Sequence, residues 1–202
     1  MKQDRLQVAS KLLAVFVWML PELAEAHAIM GGTGFVSGLL HPILGLDHLL
    51  AMVSVGILSA QLGGRAIWLV PAAFVICMIV GGILGILGID WPMVELGITL
   101  SVILLGLAMA AHGHLPVAAG LVFTGLFGIF HGHAHGTEMP AVVEPVWFTL
   151  GFVTGTVSMH LTGVTIGLIS ERLPVGDQWL RYLGAWVAGI GFHILYELLM
   201  PV

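Results

Sequence analysis

Charge is scarce in this chain: Asp, Glu, Lys and Arg together supply 8% of its 202 residues, whereas 58% are hydrophobic. So little charge cannot cover the surface of a water-soluble domain, which leaves an integral membrane protein. Cysteine is nearly absent as well. Cys77 is the single one, so neither a disulfide framework nor a thiolate metal centre is available, and any metal chemistry must rest on histidine and carboxylate. Six basic residues and a net charge of -5 leave no Lys/Arg-rich patch of the kind that holds phosphate backbones, and nucleic acid is not expected as a partner. The chain also lacks a GxxxxGK[ST] loop and an HExxH motif, the sequence marks of a built-in nucleotide motor and of a zinc protease.

What the chain has in quantity is apolar sequence. Runs cover Gly34 to Ala60, Ala66 to Leu87, Met93 to Ala111, Leu115 to Phe130, Val146 to Ile169 and Leu180 to Leu199. A spanning helix needs roughly 20 apolar residues, so these predict an all-α membrane protein, a bundle of six transmembrane helices. The segment ahead of them is different. Lys2, Arg5 and Lys11 precede a short apolar core from Leu12 to Leu20, and Ala24-Glu25-Ala26 then supplies an A-x-A site. This is the pattern of a cleaved signal peptide, residues 1–26, followed by one domain, residues 27–202, the alternative being an uncleaved amphipathic anchor. Cleavage there would make His27 the new N-terminus, whose amine and ring can chelate a metal together. Ala26-His27-Ala28 is a second A-x-A site, and cutting at that point would discard His27.

Arg65, Arg172 and Arg181, the only basic residues after the leader, all fall on one side of a six-span arrangement. By the positive-inside rule that side is cytoplasmic. The mature N-terminus, the Asp90 turn, the 131–144 loop and the C-terminus then face outward, as a cleaved signal also requires.

Ionisable groups inside lipid cost about 2.5–3.5 kcal/mol each and usually mark an ion or proton path. The first such cluster, His41-Pro42-Ile43-Leu44-Gly45-Leu46-Asp47-His48, places two histidines within about 20° of one helical face and roughly 10 Å apart along it. A straight helix barely brings both rings to one ion. The expectation is therefore either a kink at Pro42 or two sequential sites. Asp47 lies about 100° away from His48 on the helix, where it can orient a histidine on a neighbouring helix or take the proton released on metal binding. The alternative for all three is polar contact between helices.

The second cluster is Phe130-His131-Gly132-His133-Ala134-His135-Gly136-Thr137-Glu138. If it is helical, His131, His135 and Glu138 share a face and His133 turns away; if extended, the three histidines align. Either arrangement suits first-row divalent ions such as nickel, cobalt, zinc or copper better than oxygen-seeking calcium or magnesium. The competing reading is a His-rich surface loop that buffers metal. Glu95, one turn inside the Trp91 interface, and His160, mid-span, are further candidates for the path. His193 reads as a packing residue, and His112 and His114 as turn residues.

These residues resemble a known pattern. His41-Pro42, Gly45 and Asp47-His48 reproduce the HPxxGxDH signature of the HupE/UreJ family of nickel and cobalt permeases, and His131 to Glu138 resembles that family's HGxAHGxE element, with His133 and Thr137 on variable positions. The likeness extends through Ala51-Met52, Gln61-Leu62-Gly63-Gly64-Arg65, Val94-Glu95 and Leu161 to Gly163 after His160. It implies a secondary carrier that moves Ni2+ or Co2+ across the bacterial inner membrane, often in support of hydrogenase or urease. The ion is then cargo rather than a tightly bound cofactor. Expected partners are the metal ion and the lipid bilayer, with further copies of the chain or a nickel-enzyme maturation system as additional ones.

Residues and resemblance together predict capture of the ion from the periplasm by His131, His135, Glu138 and His41, then passage inward by His48, Asp47 and Glu95. The readings from other classes are a histidine-rich membrane metalloenzyme and a periplasm-facing metal-binding accessory protein that does not transport.

Overall fold

The computed structural model describes residues 34–111, 115–139 and 144–200. The expected signal segment, His27, His112 and His114 lie outside the described residues. Seven helices follow in order: α1 (Gly34–Leu44), α2 (Leu46–Leu62), α3 (Ala66–Ile86), α4 (Val94–Ala111), α5 (Val117–Thr137), α6 (Pro145–Ser170) and α7 (Gly176–Leu199). No strand occurs among the described residues. Helices α3 to α7 are each long and apolar enough to cross a bilayer, and α1 with α2 meets the same test only as a pair, a broken span bent at Gly45 or a re-entrant loop, which gives five to six candidate spans. The chain is an all-helical membrane protein.

Two expected boundaries are corrected. The first apolar run is not one helix, because α1 and α2 meet at 83°, and the turn falls at Gly45 rather than at Pro42. Pro42 sits buried inside α1; Gly45 has extended backbone, φ -84° and ψ 117°, and begins α2. Leaving the helix costs a glycine little, since its backbone has the most freedom to regain. The new helix start is favoured by Asp47, whose negative charge sits in the first turn of α2, against the positive end of the helix dipole.

The second correction concerns the His-rich run, expected partly as an outer loop. Helix α5 continues through it to Thr137. It is held there by close contact with α3, where a Cβ on Gly132 would run into the Met78 carbonyl and one on Gly136 into the Gly82 carbonyl.

That contact is one of several backbone-to-backbone pairings. Helices α3 and α5 run parallel, with Gly81 against Ile129 and Gly85 against His133. Helix α6 carries both halves of the broken span: Gly38 and Gly151 of the α1–α6 contact face Phe148 and Phe35, while Gly56 and Gly163 of the α2–α6 contact face His160 and Val53. Helices α4 and α7 pack antiparallel through Gly106 and Gly184. Small residues permit such approach, and in lipid close packing replaces the hydrophobic drive that joins helices in water.

Helix α2 stands at the centre. From Ala51 to Ala60 every residue but Val53 is buried, as expected of a helix apolar all round. Its Met52, Val55 and Ile57 join Phe74, Met78, Val102, Leu105 and Phe127 in one core. The two histidine clusters therefore meet at the N-terminal end of the most deeply packed helix, opposite the end that carries Arg65.

Candidate metal centre

The break at Gly45 sets the geometry. His41 lies in the last turn of α1 and His48 in the first turn of α2, so the bend splays them around a common space instead of stacking them along one helix. Helix α5 brings His131, His135 and Glu138 to the same space. Two donor groups result, His48 with His131 and His135, and His41 with His135 and Glu138; in each group the ligand atoms lie within 4.8 Å of one another. His135 belongs to both. The rings pack edge to face, with centroids 4.1 Å apart for His48 and His135, and 4.8 Å for both His48–His131 and His41–His135. Donors bonded at about 2 Å to one ion stand no more than about 4 Å apart across it. Small side-chain rotations close the remaining gap.

Hydrogen bonds determine which nitrogen each ring presents. Asp47 Oδ1 accepts from the His48 backbone N–H and lies 2.8 Å from His48 Nδ1. An ionised carboxylate only accepts, so Nδ1 carries the proton and Nε2 offers its lone pair. That Nε2 is buried and makes no hydrogen bond. Asp47 thus serves the histidine beside it in sequence rather than one on another helix. His131 is set in the same manner from the opposite side of its ring. The Ser101 hydroxyl donates to the Ile98 carbonyl at 2.6 Å and stands 2.8 Å from His131 Nε2, so it accepts from Nε2–H and leaves Nδ1 as the lone-pair atom. His131 Nδ1 is buried and makes no hydrogen bond, and neither does either nitrogen of His135. Buried polar atoms without partners are rare in folded proteins and each calls for a reason. Here several of them converge on one space, which suits a cation.

Glu138 closes the outer edge just beyond α5. One carboxylate oxygen is 3.5 Å from His41 Nε2 and 3.8 Å from His135 Nδ1. The hydrogen bond with His41 holds the carboxyl below its usual range, against the opposing effect of burial. Phenylalanines wall the rest: Phe152 is 4.3 Å from His135 and Phe148 is 5.5 Å from His41, ring centre to ring centre.

Three candidates stand apart from both donor groups. The helical form of the second cluster is the one realised, and His133 turns away to place Nε2 2.7 Å from the Ile89 carbonyl, tying α5 to the end of α3. Glu95 is exposed in the first turn of α4, within electrostatic range of Glu138, Asp47 and His48. His160 is buried on α6 with both nitrogens unpartnered. The Phe74 ring stands between it and the cluster, 5.1 Å from His160 and 5.5 Å from His131. Sequence reasoning missed Ser101, Phe74 and Phe152, since a serine or phenylalanine in an apolar run carries no mark of the ring it will face.

The sequence model of a family described as HupE / UreJ protein matches residues 14–194. The chain belongs to the HupE/UreJ family. Protein HupE of Rhizobium leguminosarum bv. viciae is 44% identical over 177 residues, which are 87% of this chain and 92% of that protein. No solved structure matches. HupE/UreJ proteins are permeases, generally for nickel and cobalt, and not enzymes. Both histidine clusters described above fall within the matched segment of this HupE/UreJ chain.

Proposed function

We propose that this chain is a secondary carrier that takes up Ni2+ or Co2+ from the periplasm into the cytoplasm, with residues 27–202 as the working domain once a signal peptide of residues 1–26 is removed. The observation that carries the reading is the sharing of His135 between two adjoining donor groups. His41, His135 and Glu138 form the outer group and capture the ion. Rotation about His135 then passes it to His48 and His131, so that one ligand is exchanged at a time and the dication is never left bare in lipid. Asp47 keeps the His48 lone pair directed at the ion and is placed to take up a proton; Glu95 adds negative charge at the same end. His133 and His160 are placed outside this hand-over, His133 as a structural tie and His160 further along α6.

Imidazole with one carboxylate suits borderline first-row ions. The membrane potential favours entry of a dication by about 4.6 kcal/mol at 100 mV, taking about 2.3 per charge. That is enough to drive uptake without a motor.

Radiolabelled nickel uptake into proteoliposomes tests the proposal. Wild-type protein is expected to take up nickel saturably, with cobalt competing, and His135→Ala to abolish it because both donor groups lose a member. Uptake by His135→Ala equal to wild type would overturn the hand-over. Nickel binding without uptake by the wild type would point to an accessory protein that binds and does not transport.

A further inference from the structure

A buried imidazole stands apart from both donor groups. His160, on α6, is 2% exposed, and neither of its ring nitrogens makes a hydrogen bond. Buried polar atoms are nearly always bonded, and an apolar side chain of similar size would fill this space without leaving two bare nitrogens. Packing alone gives no reason for a histidine here. Its height in the bundle is informative. Phe152 stands beside His135, and His160 follows two turns later on α6, about 12 Å closer to the end that carries Arg172. His160 is also within electrostatic range of His131.

The space between the two levels is not sealed. His135, Met78 and Phe152 line a cavity of about 60 Å³ between α3, α5 and α6, room for a water-sized occupant. One turn before His160, Thr156 is buried and its hydroxyl donates to Met78 Sδ at 3.7 Å. By contrast, Thr154, Ser158, Thr162 and Thr165 each donate to the carbonyl four residues back on α6. A thioether is a weak acceptor, so Thr156 forgoes the stronger bond within its own helix and keeps its oxygen at the α3–α6 contact. The direct line from His131 is blocked by Phe74, whose ring is 5.5 Å from His131 and 5.1 Å from His160. On its far side His160 borders a groove of about 320 Å³ that reaches Ile67 and Trp68, in the first turn of α3 next to Arg65.

We propose that His160 is an inner station of the ion path: a dication released by His48, His131 and His135 passes through the cavity beside His135, past the Thr156 hydroxyl, and is next held by the His160 imidazole. The inference rests on the carrier reading above and extends it into the half of the bundle nearer Arg65. One imidazole with one hydroxyl oxygen holds a first-row dication less firmly than three imidazoles do. That ordering suits transport, because a path conducts only if each site also lets the ion go. The station is filled in passing rather than at rest.

The test compares the full chain as wild type, His160→Leu and His160→Cys, for nickel uptake into proteoliposomes and for nickel affinity by calorimetry. His160→Leu is expected to lower maximal uptake about tenfold without loss of calorimetric affinity, since only the step after capture loses a ligand. His160→Cys, which supplies a metal-binding sulfur, is expected to bring uptake back to within about threefold of wild type. A packing role gives the reverse order, because leucine fills an apolar site better than cysteine does. Thr156→Val removes the hydroxyl at nearly constant shape and is expected to slow uptake about threefold, with Thr156→Ser recovering it. Uptake equal to wild type in His160→Leu or in Thr156→Val, no recovery in His160→Cys, or affinity falling in parallel with uptake would each overturn the inner station and leave the hand-over at His135 standing. Absence of uptake by wild type would overturn both.

Discussion

At the scale of single residues, the centre depends on proton placement as much as on ligand placement. Asp47 and Ser101 never need to touch the ion, yet each holds one proton on the far side of a ring and so frees the other nitrogen. Loss of such a supporting partner typically lowers metal affinity by about 10- to 100-fold. Asp47→Asn is therefore expected to weaken nickel binding by about that factor, since an amide can also donate and no longer enforces the His48 tautomer. Ser101→Ala is expected to have a smaller effect, because a neutral hydroxyl holds a proton less firmly than a carboxylate. Calorimetric titration of the purified variants checks both, and a larger loss in Ser101→Ala than in Asp47→Asn would contradict the tautomer assignment. The histidines and acids of both clusters could be picked out of the sequence on their cost in lipid. Ser101 could not, because hydroxyls such as Ser54 and Ser59 are equally buried in the same bundle.

At the scale of elements, the broken span and the glycine contacts hold the donors in place. A Cβ at Gly45 would sit 3.2 Å from Asp47 Oδ1 and 3.3 Å from His48 Nδ1, so Gly45→Ala presses on the pair that sets the His48 tautomer. It is expected to weaken nickel binding more than Pro42→Ala does, because the chain turns at Gly45 and not at the proline. Side-by-side binding measurements decide this, and equal effects would count against the role given to the break. Gly132→Ala acts on the other wall. Its methyl group meets the Met78 backbone carbonyl, which cannot swing aside, so α3 and α5 must part. Overpacking of this kind costs about 1–3 kcal/mol, and a lowered unfolding temperature in detergent is the expected readout. The existence of the spans was legible from hydropathy. The bend was not placed correctly, because Pro42 is the louder local signal while the direction of the chain follows from where α1 and α2 each rest on α6.

At the scale of the whole molecule, connectivity places the histidine cluster at one end of the bundle and Arg65 and Arg172 at the turns of the other. If the positive end is cytoplasmic, the centre collects ions from outside. Glu144→Cys, at the start of α6 near the metal end, is then expected to react with a membrane-impermeant maleimide in intact cells, and Arg65→Cys only after the membrane is opened. The reverse pattern would invert the direction of transport. Because the two donor groups share His135, calorimetry is expected to find one nickel ion per chain at this centre.

The sequence by itself determined the solvent, the approximate number of spans and the residue types available to an ion. These follow from hydropathy and from the cost of placing ionisable groups in lipid, and both are properties of short stretches of chain. Tertiary structure alone decided which nitrogen each imidazole offers, that His135 is shared and that His133 is withdrawn. Those outcomes depend on partners distant in sequence: Ser101 and His131 are 30 residues apart, and His133 and Ile89 are 44 apart. A hydrogen bond is directional and short, so it is settled only when packing brings both ends together.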